Sequence, residues 1–467
     1  MDESRREFLK TAAKGVATVA AAQPLSAFAQ GNVLGANSRV RVAVVGLRGR
    51  GQEHIKEYGA MPNVQIAALC DIDDNVMRER LPQVQKLGSN PKTYVDIRKL
   101  LDDKSIDAVS IATPNDWHSL MGIWACQAGK DVYVEKPCSH NLWEGGQLVR
   151  AAVKYNRIVQ HGTQSRSTPE IVEAINKVRG GLIGDVYLSR GLCYKRRNTI
   201  GHTPVSPVPA GVDYNLWTGP APLQPFTKNH FHYNWHWFWN YGNGDIGNQG
   251  IHQMDIARWG LGLGFPNKIS AIGGHFMFDD DQQTPNTLNA AFEYIQPGKK
   301  PTLLEFEVRH WDTNHEAGIG LSRNAPVDLA ETSQGGLGPH EGSFNTVGNI
   351  FYGSKGYLAI DGGNGGYRSW MGQDQQPGPS APAAKDTNFE NFIACVVSRK
   401  KEDLNAPIEE GYISAGLVHL ANASYRLGRT LNFDPETKMV KNDDEANRLL
   451  RDGDRGYRAP FVVPEQV

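Results

Sequence analysis

Between residues 39 and 162 the apolar positions fall into short blocks with helical patterns between them. Residues 39–45, 64–70, 108–112 and 131–134 are β-rich runs, whereas 52–58, 75–86 and 120–128 place apolar side chains at helical spacing. A further helix over 143–155 and a strand over 158–162 continue the alternation. Strand followed by helix, repeated with right-handed crossovers, predicts a parallel sheet covered by helices, an α/β Rossmann domain over residues 30–160.

Beyond that point the pattern changes. Residues 268–278, 287–294, 302–308 and 350–360 alternate or cluster β-formers with few helices between them, which predicts an open, mostly antiparallel sheet. The Gly-rich and Pro-rich stretches over 335–342 and 362–382 are expected to be surface loops. Helices over 388–398 and 412–426 complete an α+β domain spanning 161–467, and the second of them is expected to pack back on the first domain.

The first residues have another purpose. Ser4-Arg5-Arg6-Glu7-Phe8-Leu9-Lys10, an alanine-rich apolar run and Ala27-Phe28-Ala29 form the pattern of a twin-arginine signal over residues 1–29, implying an exported, periplasmic protein. No later apolar run reaches the roughly 18 to 20 residues of a bilayer span. A net charge of −1 without a basic run gives no electrostatic reason for a nucleic-acid partner. Cys70, Cys126, Cys138, Cys193 and Cys395 lack paired short spacings, so no metal site is expected, and buried thiols are favoured over a disulfide framework.

The first β-rich run leads directly into Gly46-Leu47-Arg48-Gly49-Arg50-Gly51 and then a helix, the setting of a dinucleotide-binding loop. Gly46 permits the tight turn, Gly51 the close approach of the helix, and the helix N-terminus faces a pyrophosphate. Arg48 occupies the position of the middle glycine, with Gly49 after it; its side chain either crowds the phosphates or clamps them. Asp71 stands twenty residues past Gly51 at the end of the second strand, where a carboxylate receives ribose hydroxyls and repels a 2′-phosphate. The expected cofactor is therefore NAD, with NADP the alternative.

Two further stretches end strands of the same sheet, Thr113-Pro114-Asn115-Asp116-Trp117-His118 and Glu135-Lys136-Pro137. Lys136 could donate to a substrate hydroxyl and lower its pKa. Downstream, Asn248, His252, Asp255 and Trp259 are spaced to share one face of a helix. Gln164, Arg166, Tyr194, Tyr233, Trp235 and His236 supply the polar donors and flat rings that hold polyols, and are candidates for a sugar wall.

Together these motifs, in this order, resemble the glucose-fructose oxidoreductase, inositol dehydrogenase and rhizopine-catabolism (Gfo/Idh/MocA) family. Residues 351–358, similar to a late hairpin of the family, and 388–392, similar to its returning helix, extend the resemblance over nearly the whole mature chain. It implies cofactor contacts from Gly46, Arg48, Gly49, Gly51, Asp71, Thr113, Asn115, His118, Glu135 and Lys136. It also puts Lys136 and His252 at the family's catalytic positions, with Asn248 and Asp255 beside them. Family members commonly carry an aspartate where this chain has Asn248, and an amide cannot take a proton, so the base role falls on His252. Association through the open sheet into a homo-oligomer is implied as well.

The expected activity is oxidation of a sugar, glycoside or polyol hydroxyl, with the cofactor tightly retained because free NAD is scarce outside the cytoplasm. Two other readings stand beside it: a redox-neutral NAD-dependent glycosidase, and a non-catalytic sugar-binding protein that has kept the fold. Cofactor retention and net change in substrate oxidation state discriminate among them.

Overall fold

The computed structural model describes residues 39–311, 314–320, 345–362, 366–452 and 455–467; the signal over 1–29 and the loop over 335–342 lie outside them. The β-rich runs of the first half form β1 (Val40–Val45), β2 (Val64–Cys70), β3 (Lys92–Tyr94), β4 (Ala108–Ile111), β5 (Asp131–Val134) and β6 (Val159–His161). All pair in parallel in the order β3-β2-β1-β4-β5-β6. The intervening helices are α1 (Gly49–Gly59), α2 (Asp74–Lys86), α3 (Ile97–Leu101), α4 (Asn115–Gln127) and α5 (Leu142–Lys154). Strands β4 and β5 are buried at every position, as parallel strands covered on both faces must be. Short β3, where only Tyr94 is even half-buried, had too little apolar signal to be expected.

The second half begins with α6 (Pro169–Arg179) and β7 (Val186–Lys195), continues through α7 (Tyr214–Thr218), α8 (Gly244–Asn248) and α9 (Gly250–Leu261), and then builds a ten-stranded sheet. Its other strands are β8 (Lys268–Gly274), β9 (Thr287–Tyr294), β10 (Thr302–His310), β11 (Thr346–Gly353), β12 (Gly356–Asp361), β13 (Gly366–Met371), β14 (Gln376–Pro377), β15 (Leu431–Asp434) and β16 (Met439–Val440). Pairing is antiparallel throughout except between β7 and β10. The mostly antiparallel expectation holds, but the central strand β7 was not anticipated: its sequence VYLSRGLCYK mixes charge and glycine with apolar residues. The expected run over 350–360 is a hairpin of β11 and β12. Part of the expected loop over 362–382 is strand, because Tyr367 and Ser369 are buried on pairing with β12.

The last helices are α10 (Asn388–Ser398), α11 (Ile408–Leu427) and α12 (Asp444–Arg451). Both long ones return to the first half. Phe389, Phe392, Ile393 and Val396 of α10 join Val40, Val42, Val44 and Ile66 in one apolar cluster. Leu417, Val418 and Leu420 of α11 share another with Leu148 of α5 and with Leu288 and Phe292 of β9, so one core runs between the two sheets. All five cysteines are buried and none forms a disulfide. Among the described residues no helix is long and apolar enough to cross a membrane.

Candidate functional site

In a doubly wound sheet the ligand crevice opens where strand order reverses, here between the carboxyl ends of β1 and β4. The two loops touch through backbone: a Cβ on Gly46, whose φ is +79°, would stand 2.6 Å from the Ala112 carbonyl oxygen. A Cβ on Gly51 would collide with the carbonyl oxygen of Gly46, so glycine is what lets α1 start against the loop. A cleft of about 300 Å³ opens above them, reaching from Asp71 and Asp96 at one end to Lys136 and Asn248 at the other. Gly46, Arg48, Gly49, Asp71, Thr113, Asn115, His118, Glu135 and Lys136 all line it.

These residues fit a dinucleotide. Helix α1 has no acidic residue in its first turn, and the side chain of Arg48, at its N-cap, makes no capping bond; the Gly51 amide donates to Arg48 O at 2.7 Å, which leaves the Gly49 and Arg50 amides for an anion. The Arg48 side chain is exposed on the cleft. Asp71 accepts the Leu47 amide at 2.7 Å and the Asp73 amide at 3.0 Å, which fixes its carboxylate at the loop. Burial nevertheless raises its pKa to about 6.

Several cleft residues owe their position to bonds within the protein. His118 places one ring nitrogen 2.6 Å from the Pro137 carbonyl and the other 2.8 Å from that of Thr113, tying the two strand-end loops together. Its ring is therefore committed to the scaffold. Glu135 accepts from Arg50 at 2.7 Å and His54 at 3.1 Å; burial opposes its charge, but Arg50 and His54 hold the carboxyl well below the usual range. Asn115 donates to Asn243 at 3.1 Å, joining α4 to the approach of α8.

At the other end the expected single helix is interrupted. Asn248 ends α8 and Gly250 starts α9, and the His252 amide donates to Gln249 O at 3.1 Å rather than to Asn248. The Asn248 carbonyl is thus left for the Lys136 ammonium at 2.7 Å, and its side-chain oxygen takes a second bond at 3.2 Å. Burial brings the Lys136 pKa down to about 8, with Glu135 opposing and Arg50 and Lys195 adding to the fall. The Lys136–Pro137 bond is cis.

The sugar-wall candidates divide evenly. Tyr233, Trp235 and His236 line the cleft; Gln164, Arg166 and Tyr194 do not. Tyr194 lies on β7 one residue after Cys193, and strand alternation turns it to the opposite face, where its hydroxyl donates to Glu307 at 2.7 Å. Arg166 is buried on Asp255, with bonds of 2.8 and 3.0 Å, and on Glu410 at 2.9 Å. Asp255 also accepts from Ser414 at 2.6 Å, so this pair is a buried structural tie and neither partner reaches the cleft. Gln164 sits 3.4 Å from Glu135, behind the lining. His252 does not line the cleft either. Its ring has no hydrogen-bond partner among the described residues, and burial, then the Lys136 charge, lower its pKa to about 3.

Sequence reasoning missed the part of the wall that crosses to the nucleotide end. Val212 bridges Asp73, the Asp74 amide donates to Gly211 O at 2.9 Å, and the Asp213 amide donates to Ile72 O at 2.9 Å. His232 then reaches back to Asp73 at 3.0 Å, and Leu216, Trp217 and His232 join the lining. The density of rings over 230–241 was the available signal. Also missed was Asp245, buried and doubly bonded by Arg197 at 2.7 and 3.0 Å, with His310 at 2.7 Å; Arg197 in turn donates to the Tyr233 hydroxyl at 3.3 Å.

Comparison with known proteins agrees with this geometry. Residues 40–163 match the model of an oxidoreductase family with an NAD-binding Rossmann fold, and residues 186–286 and 366–461 match that family's C-terminal alpha/beta domain; together they cover more than half of the chain. A glycosyl hydrolase family 109 protein of Shewanella pealeana is 30% identical over 204 residues, 40% of this chain and 45% of the relative. An alpha-N-acetylgalactosaminidase of Shewanella oneidensis is 28% identical over 155 residues, 32% of this chain and 33% of the relative. The alignments thus span less than half the length of these relatives. Among solved structures, a levoglucosan dehydrogenase in complex with NADH and L-sorbose superposes with a TM-score of 0.61 at 16% identity, over 85% of this chain and 99% of that one. An aldose-aldose oxidoreductase from Caulobacter crescentus, complexed with glycerol, gives 0.58 at 18% identity over 85% and 100%. These structural likenesses establish the fold. With both halves matched in order, the chain belongs to the Gfo/Idh/MocA oxidoreductase family.

Proposed function

We propose that this protein is an NAD-dependent glycosidase that breaks a sugar's glycosidic bond through transient oxidation within one cleft, with no net redox change. The observation that carries the chemistry is that the nucleotide loop and the Lys136–Asn248 pair line a single cleft with Tyr233, Trp235 and His236. What favours a glycosidase over the dehydrogenase expected from the sequence is the naming of the relatives as glycosyl hydrolases. When bound, the nicotinamide accepts and returns a hydride.

The chain's own groups do the rest. Two of the three Lys136 protons point at Asn248, leaving one donor for a sugar oxygen, whose ionisation its charge favours. Tyr233 and Trp235 bring aromatic surface to the lining, which suits a sugar ring. Contacts of the segment over 211–213 and of His232 with the β2–α2 junction roof the nucleotide end, which supports retention of the cofactor. NAD rather than NADP follows from Asp71, and export through the twin-arginine route from Arg5 and Arg6 remains part of the proposal.

Mixing the purified protein with aryl glycosides and free sugars tests the reading. Aglycone release without a matching build-up of reduced nicotinamide is expected. Stoichiometric reduced nicotinamide with an oxidised sugar product would return the protein to the dehydrogenase reading, and sugar binding without either would make it a binding protein.

A further inference from the structure

Leu216 and Trp217 reach the cleft from α7, a helix of only five residues. A helix that short makes little structure of its own and leaves its last carbonyls open. It stops at Gly219, whose φ is +53°. The open carbonyls are taken by Arg458, 239 positions beyond Gly219. Its Nε donates to Gly219 O and Ala221 O, each at 3.1 Å, while Nη1 donates to the Asn215 side-chain oxygen at 2.6 Å and Nη2 to Asn215 O at 2.8 Å. The Arg458 amide adds a bond to Pro220 O at 3.0 Å, so everything this residue donates falls on the stretch 215–221.

The same α7 is supported from the Rossmann side. The Trp117 indole N–H donates to Leu216 O and Trp217 O, each at 3.1 Å. Buried Phe461 meets Trp117 edge to face with ring centroids 5.2 Å apart, and the Arg458 guanidinium lies 5.0 Å from the Phe461 ring. Around them the chain is anchored on α5: the Tyr457 hydroxyl donates to Glu144 at 2.8 Å, and Gln147 donates to Glu465 O at 2.8 Å. Residues 457–465 thus form a strap that joins α5, Trp117 and α7.

We propose that Arg458 is a positioning residue for the cofactor: by clasping 215–221 to this strap it keeps Leu216 and Trp217 on the cleft and sets how slowly the dinucleotide leaves. The proposal rests on the cofactor retention in the reading above and is independent of which sugar bond is broken. Two seams hold this side of the cleft. Backbone bonds from the Asp213 amide to Ile72 O and from the Asp74 amide to Gly211 O fix the residues just before α7, and Arg458 fixes its other end. Cutting the second seam alone leaves α7 free to swing about 211–213, so the effect falls on release. A guanidinium suits the task because its planar fork serves several acceptors at once, whereas an ammonium is a point charge on a flexible stem.

The test follows exchange of the bound dinucleotide against excess labelled NAD, beside the Tm of protein stripped of dinucleotide. Arg458→Met removes the guanidinium and keeps an apolar stem over Phe461; Arg458→Lys keeps the charge without the fork. Arg399→Met is the control, since Arg399 binds Asp131 and Asn156 O at the start of β5, away from the cleft. Expected is release about 10-fold to 100-fold faster in Arg458→Met, the worth of one or two hydrogen bonds to a charged group, with a smaller rise in Arg458→Lys. Arg399→Met should release at the parent rate even where its Tm falls. Asn215→Ala removes one acceptor at an exposed position and decides the matter if Arg458→Met does not fold: its release must exceed the parent's. A parent-like rate in Arg458→Met overturns the clasp while retention stands. So does equal acceleration in Arg399→Met, which marks general loosening. A parent that loses its dinucleotide during purification overturns retention and clasp together.

Discussion

The two ends of the cleft are built from different materials. At the nucleotide end, Gly46, Gly51 and the amides of Leu47 and Asp73 shape the site, so that backbone does the holding and one carboxylate, Asp71, adds selectivity. At the sugar end, side chains from the loop after β5, from α8 and from the ring-rich segment before it converge, each held by a neighbouring group: Lys136 by the carbonyl and side chain of Asn248, His236 by the Tyr233 carbonyl, and Tyr233 by Arg197 on Asp245. A backbone site requires little beyond local spacing. A side-chain site requires buried partners, and those partners are where substrate choice is set.

The contrast can be attacked first at the tie that does not touch the cleft. Asp255→Ala leaves the buried Arg166 guanidinium with Glu410 as its remaining carboxylate partner, so the loss should reach at most the about 3–5 kcal/mol of a fully broken buried pair. Chemical denaturation is expected to show that loss while the folded fraction retains dinucleotide; a neutral result would mean Asp255 is no structural partner. At the nucleotide end, Gly51→Ala forces a Cβ into the Gly46 carbonyl. It should lower stability by about 1–3 kcal/mol or more and empty the site of dinucleotide, both read from one thermal melt with and without NAD.

Smaller changes sharpen the picture. Asp71→Ala is expected to weaken NAD by about 1.5–3 kcal/mol, the worth of a charge-assisted hydrogen bond, and NADP by less, because the repulsion of the 2′-phosphate is removed too. Calorimetric titration with both dinucleotides checks it, and equal losses would deny Asp71 the ribose. In the parent, Asp71 with its pKa near 6 is ionised above that pH and protonated below it, so NAD affinity should fall as the pH drops through about 6. Asn248→Asp puts a carboxylate beside the Lys136 ammonium, which favours the charged form. If Lys136 acts as a cation, the alkaline limb of the pH–rate profile should move upward from about 8; a stationary limb would separate that limb from Lys136.

The same contrast explains what the sequence revealed. The Rossmann half was legible because strand, glycine loop and Asp71 lie in one local run, and spacing alone sets their meeting. The open sheet was legible as a class, but β7 was hidden by the charges and glycine it carries, and Tyr367 pairs inside a stretch whose glycines and prolines suggested loop. Tyr194 was lost to strand parity. Arg166 and Asp255 carry the right functional groups for a sugar site, yet their mutual pairing, across 89 positions, cannot be read from either residue's neighbours. His252, singled out by helical spacing and by family resemblance alike, is half-buried with the Lys136 charge acting on it, whereas His232 and Trp217 entered the site through a chain crossing that spacing does not encode.

In the proposed reaction, bond cleavage depends on redox chemistry confined to this cleft. The most direct test is aglycone release by protein stripped of dinucleotide, before and after NAD is added back, with reduced nicotinamide followed by absorbance. Release is expected only with NAD restored, with no net accumulation of the reduced form. Release by the stripped protein at the parent rate would contradict it.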